Sequence, residues 1–235
     1  MSYVFAPRPH PSVTVVGTSE RFPVRRIFCV GRNYAAHARE MGHDPDREAP
    51  FFFQKPADAA WDAGEERAAS MRYPPQTTEL HHEVELVVAL GSGGERMTRQ
   101  QSEACIFGLA VGLDLTRRDL QREAKSMRRP WDWGKGFDQS APMGPIQPMG
   151  IRELEQRARI WLAVDGELRQ DSTVSHLIWD VPALLATISQ SMALCAGDLV
   201  FTGTPAGVGP LHPGQQLRAG IEGLPPLALS ILPGS

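Results

Sequence analysis

The sequence predicts a mixed chain of short strands and a few helices, with strands in the majority. Three observations carry this. The apolar runs are of strand length and are bounded by Gly, Pro or charge: RIFCVG (26–31), FFFQKP (51–56), the segment 81–90, IFGLAVGLD (106–114) and DLVFT (198–202). An Asp165-Gly166 pair interrupts the alternating segment 159–170, RIWLAVDGELRQ, which is a hairpin signal. Helical signatures are few, and each carries a cap or a proline at its start.

In chain order, residues 1–24 are Pro-rich and read as an N-terminal arm or small edge element, with a strand at Val13–Val16. The RIFCVG strand opens a single larger unit, 25–235. Asn33 is placed to cap a helix at 34–41 that stops at Gly42. After the FFFQKP strand, residues 57–78 read as an extended loop or loose hairpin. Segment 81–90 is apolar on both faces and predicts a central strand. Thr98-Arg99-Gln100-Gln101 has the capping-box pattern and predicts a helix to Ala104. Thr116-Arg117-Arg118-Asp119 looks like a second box, opening a helix at 117–127. Residues 128–145, RRPWDWGKGFDQSAPMGP, predict a long ordered functional loop. Asp180 and Pro182 start a helix at 181–194, and 215–232 reads as two final strands.

Composition narrows the function. Over 235 residues, 42% are apolar, enough for a core, and the net charge of −3 offers no basic field to a nucleic acid. No apolar run is long enough to span a membrane, and MSYVFAPRPHPSV lacks the apolar core of a signal peptide, so a cytoplasmic location is expected. Cys29, Cys105 and Cys195 lack metal-site spacing and read as small buried residues. Only Lys55, Lys125 and Lys135 occur against 21 arginines, so a lysine here is somewhat more apt to have a specific task.

Glu83 and Glu85 share one strand face, at i and i+2 in an apolar run, and Asp114 ends the next one. Carboxylates are costly to bury unpaired, and three at strand ends suit a hard divalent cation such as Mg²⁺ or Mn²⁺. Glu-x-Glu alone fits a solvated strand as well. His81 is on the same face, either as a further ligand or as a packed histidine. His37 and Glu40, at i and i+3, read as a surface pair or as an imidazole oriented for general-base work. Arg118 and Gln121 share a helix face behind Asp114; Arg117, Arg122 and Glu123 read as ordinary charged surface.

GRNYAAHAREMG, FFFQKP, HHEVEL, GLDLTRRDLQ, WGKGFDQSAP and FTGTPAGVG, in this order, resemble the fumarylacetoacetate hydrolase family over about residues 25–230, and the RPWDWGKGFDQSAPMGP loop and short, single-domain length look most like its fumarylpyruvate hydrolases of gentisate degradation. The resemblance implies a mainly β fold, a rolled, barrel-like β-sandwich with a few helices, usually a homodimer. It implies cleavage of a 2,4-dioxo acid, fumarylpyruvate first, with acylpyruvate hydrolysis, oxaloacetate decarboxylation or isomerisation/decarboxylation as alternatives. By position, Glu83, Glu85 and Asp114 match the ligands of one Mg²⁺ or Mn²⁺ per subunit. His37 and Glu40 match the water-activating pair, Arg118, Gln121 and Lys135 the oxyanion donors, and Lys55 and Thr204 positions that face the substrate.

Overall fold

The computed structural model describes residues 2–36, 49–64, 69–154 and 157–234. The core is a curled eight-stranded sheet. Its main order is Phe51–Lys55, Arg26–Gly31, Asp198–Phe201, Val84–Leu90, Ile106–Leu113, Ala141–Met143 and Ala60–Asp62, with Gln147–Pro148 joined to Ile106–Leu113. A five-stranded sheet carries the Arg159–Val164/Glu167–Thr173 hairpin, the Gln216–Ile221 and Leu227–Leu232 strands, and Ser70–Arg72. A small three-stranded sheet joins Thr116–Arg117, Leu80–His82 and Gly209–Leu211. The mainly β expectation holds.

The pattern of burial explains the arrangement. Every residue of Val84–Leu90 is buried, because one face packs toward Val111, Leu162 and Val164 and the other toward Ile27, Ala110 and Leu199. A strand covered on both faces belongs in the middle of a sheet, and Val84–Leu90 lies between Ile106–Leu113 and Asp198–Phe201. Asp165 and Gly166 take φ of 51° and 82°, the left-handed pair that a two-residue hairpin needs. The Thr98 capping box forms, with Gln101 reaching back to the Thr98 N–H. Asp180 caps the Val181–Ser191 helix through the Ala183 N–H.

Several expectations are corrected. The segment 81–90 is not one strand: Leu80–His82 and Val84–Leu90 belong to different sheets, and Glu83 is the link between them. The Val84 N–H goes to the Gln170 side chain, which releases the chain from one ladder to the other. Segment 57–78 is not a loose hairpin, since Ala60–Asp62 and Ser70–Arg72 pair in separate sheets. Residues 128–145 contain a short helix, Asp132–Lys135, and the Ala141–Met143 strand. Thr116 builds no capping box; its hydroxyl donates to the Asp114 carbonyl. Arg117 is buried over the Phe137 ring at 4.4 Å and is not surface charge.

Most of the helix expected at 34–41 lies outside the described residues, and Asn33 serves tertiary structure. Its Nδ2 donates to the carbonyls of Trp179 (2.9 Å) and Thr202 (2.8 Å), and its Oδ1 accepts from the Trp179 N–H (2.7 Å). It ties the Arg26–Gly31 end to the loop that follows Asp198–Phe201. Asn33→Ala leaves those buried groups unpaired and is expected to cost about 2–4 kcal/mol. A fall in the urea midpoint at unchanged m checks this.

Candidate active site

Glu83, Glu85 and Asp114 converge. One oxygen from each lies within 4.8 Å of the others, and all three residues are buried. Two adjacent strands bring them there: Glu85 lies opposite Gly112, and the Asp114 N–H donates to the Glu83 carbonyl just beyond the last paired rung. Gly112 has no room for a side chain, because a Cβ would sit 2.5 Å from Val87 and 2.7 Å from Phe201.

Three cations answer two of the three carboxylates. Lys135 Nζ donates to Glu83 Oε2 (2.7 Å) and Asp114 Oδ2 (2.6 Å). Lys55 Nζ lies 2.9 Å from Asp114 Oδ1, and Arg118 Nη2 binds Glu83 Oε1. Burial disfavours the Lys135 ammonium, but Asp114 and Glu83 outweigh it and hold Lys135 above its usual range. Glu85 goes the other way. Burial, then Asp114 and Glu83, push its carboxyl well up, against the single N–H that Gly203 supplies at 2.7 Å. Gly203 can point that N–H inward because it takes φ of +99°, where a side chain would also run into Asn33.

This donor set fits a divalent cation. Asp114 Oδ1 is buried and off the hydrogen-bond direction of Lys55, so a lone pair stays unfilled, and Glu85 is a carboxylate short of positive charge. Oxygen-only donors are what Mg²⁺ and Mn²⁺ take. Glu83, Glu85 and Asp114 would hold the ion.

The other expected residues sort themselves around this cluster. Arg118 and Gln121 stand on the first turns of the Arg118–Ser126 helix, and Arg118 Nη1 donates to Gln121 Oε1 at 2.7 Å, which leaves the Gln121 Nε2 as a donor. Lys135 reaches the carboxylates because Gly134 lets its short helix press onto the Gln121 backbone, 3.0 Å from where a Cβ would be. Thr204 lines the cavity, and its hydroxyl accepts from Gln170 Nε2 at 2.8 Å. Lys55 is not among the residues that line this cavity, but its Nζ lies 2.9 Å from Asp114 Oδ1, which does. Its Nζ also donates to the carbonyls of Leu115 and Lys135. His81 is not part of the carboxylate group; Arg118 Nε faces its Nδ1 at 3.5 Å, and burial, with Arg118 next, lowers its pKa to about 4. His37 and Glu40 lie outside the described residues.

A small cavity of about 30 Å³ opens onto these groups and is lined also by Arg32, Phe51, Phe53, Lys125 and Trp131. Sequence reasoning did not assign these five. Lys125 was within reach: it follows Arg118 and Gln121 at i+7 and i+4, on the same helix face. Gln170, which orders Thr204, His82 and Val84 at once, had no signal, because it lies on the distant hairpin strand.

Lys135 is expected to serve the reaction as well as the cluster. Lys135→Met should lower kcat by about 10²–10³ and kcat/KM in parallel. A rise in KM alone would move it to substrate binding.

The family model for the fumarylacetoacetate hydrolase C-terminal domain matches residues 26–231. The fold is similar to the crystal structure of fumarylpyruvate hydrolase from Pseudomonas aeruginosa in complex with Mn²⁺ and pyruvate, at 48% identity and a TM-score of 0.95, covering 98% of this chain and 99% of that one. The chain is 39% identical over 201 residues to a mitochondrial oxaloacetate decarboxylase of Dictyostelium discoideum, covering 85% of this chain and 90% of that protein. It is 40% identical over 199 residues to a mitochondrial oxaloacetate tautomerase of Oryza sativa subsp. japonica, covering 85% and 87%. Among the described residues, no helix is long and apolar enough to cross a membrane.

Proposed function

The chain belongs to the fumarylacetoacetate hydrolase family, and from that premise we propose that it is a divalent-metal-dependent hydrolase of 2,4-dioxo acids. Its substrate is fumarylpyruvate, cleaved to fumarate and pyruvate in gentisate breakdown, and it works as a cytoplasmic homodimer with one Mg²⁺ or Mn²⁺ per subunit. The observation that carries this reading is the buried Glu83–Glu85–Asp114 triad beneath a cavity that also receives Arg118, Gln121 and Lys135. Its likeness to a fumarylpyruvate hydrolase over nearly the whole chain supports the choice of substrate.

When bound, the cation supplies Lewis acidity and orients the carboxylate and 2-oxo oxygens of the substrate. The protein does the rest. His37, oriented by Glu40, accepts a proton from water as the water oxygen bonds to C4. Arg118, Gln121 and Lys135 donate toward the C4 oxygen while it carries negative charge. The C3–C4 bond then breaks, its electron pair passes to C3, and the proton held on His37 is returned to that carbon. Fumarate leaves with the hydroxyl, and pyruvate with the proton.

Oxaloacetate decarboxylation is the second reading, favoured by the decarboxylase and tautomerase relatives. It needs the chelating end of the site but no attacking water. Turnover of fumarylpyruvate and oxaloacetate by the purified protein, with Mn²⁺ and with chelator, separates the two. Rapid metal-dependent loss of fumarylpyruvate is expected; consumption of oxaloacetate alone would overturn the hydrolase reading.

A further inference from the structure

We propose that Lys125, with Arg32 beside it, is the subsite for a second carboxylate on the acyl side of the substrate, so that the pocket selects dianionic over monoanionic 2,4-dioxo acids. The proposal rests on the hydrolase reading above and goes further by assigning what recognises the acyl group.

Lys125 lines the same cavity as the carboxylate triad. It stands on the Arg118–Ser126 helix four residues past Gln121 and seven past Arg118. At 1.5 Å per residue it is about 6 Å further along the helix axis than Gln121 and about 10 Å further than Arg118. Arg118 is bound to Glu83 at the triad. The helix thus leads from the chelating end toward Lys125.

The surroundings of Lys125 call for an anion. It is half-buried, its Nζ lies 4.9 Å from the Trp131 ring centroid, and among the described residues no carboxylate pairs with it. The charges nearest in effect, after burial itself, are Arg118 and Arg32, which repel it; together they lower its pKa to about 8, so it remains mostly charged at neutral pH. Arg32 is held at φ of 63°, a left-handed position rare for a side-chain-bearing residue, with its guanidinium 5.1 Å from the Phe51 ring centroid. Backbone strain is tolerated more readily where a ligand completes the site. Phe51, Phe53 and Trp131 supply flat apolar walls between the charged groups, suited to a planar unsaturated chain.

The test is steady-state kinetics on fumarylpyruvate, which carries two carboxylates, and acetylpyruvate, which carries one, with wild type, Lys125→Met and Lys125→Arg. Wild type is expected to favour fumarylpyruvate in kcat/KM. Lys125→Met should lower that preference by about 10- to 100-fold, mainly through KM, and Lys125→Arg should restore most of it. A preference unchanged in Lys125→Met, with both substrates falling together, assigns Lys125 to packing against Trp131 and overturns the proposal. If wild type cleaves neither substrate, the hydrolase reading falls and the subsite is decided by binding. Calorimetry on Mn²⁺-loaded protein would then compare the dianion 2-oxoadipate with the monoanion 2-oxohexanoate. Tighter binding of the dianion that Lys125→Met removes upholds the subsite, and equal binding overturns it.

Discussion

Chelation of divalent cations is expected to abolish turnover of fumarylpyruvate, and Mg²⁺ or Mn²⁺ to restore it. The reason lies in the carboxylate cluster. Glu85 is buried with one N–H donor, beside two other acids, and burial together with Asp114 and Glu83 makes its charged form costly. Lys135 and Lys55 compensate Asp114, and Lys135 and Arg118 compensate Glu83, but no lysine or arginine pairs with Glu85 among the described residues. A divalent cation on the triad supplies that missing charge. Glu85→Gln keeps the shape and the Gly203 contact but removes one negative charge, so calorimetry should show metal affinity reduced at least about tenfold. The variant should also need more metal for half-maximal rate. Full activity in metal-free wild type would refute the metal-dependent mechanism.

Loss of hydrolysis should be the signature of His37→Asn. Proton removal from water by a positioned base typically contributes about 10²–10⁴ in rate, and no other base is assigned to that step. Among the described histidines near the site, His81 is lowered to about 4 by burial and Arg118, and His82 is turned to Gln170. Any oxaloacetate decarboxylation in the wild type needs chelation and an acceptor for enolate charge, but no attacking water. It should therefore survive His37→Asn far better than hydrolysis does. Glu40→Gln should follow His37→Asn more mildly, since the imidazole remains and only its orienting charge is gone. Parallel rate measurements on the two substrates decide the matter. Equal loss of both activities would recast His37 as a residue that positions substrate, and wild-type hydrolysis in His37→Asn would remove it from the mechanism.

The sequence by itself determined the elements whose cause is local. Asp165-Gly166 dictates its hairpin because two successive left-handed residues turn the chain with the twist of the strands. Thr98 and Asp180 dictate helix starts, because a side-chain oxygen next to unpaired N–H groups acts over three residues. The carboxylate triad was legible for a related reason: Glu83 and Glu85 stand two positions apart in an apolar run, and Asp114 ends the run that pairs with it. Motif order supplied the family, and with it the rolled β architecture.

Only the tertiary structure decided where long-range partners compete for the same atoms. Asn33 has the chemistry of a helix cap, and the structure shows its side chain bonded to the backbone of Trp179 and Thr202, more than 140 residues away. Thr116 has the spacing of a capping box, yet its hydroxyl turns to Asp114. Which groups the Lys55 ammonium meets, Asp114 and the carbonyls of Leu115 and Lys135, was equally hidden in the sequence. Glu83 read as mid-strand, and became the crossing point of two sheets because Gln170, almost ninety residues later, captures the next N–H. A side chain's identity specifies what it can bind; which partner it meets depends on distances that close only when remote segments pack.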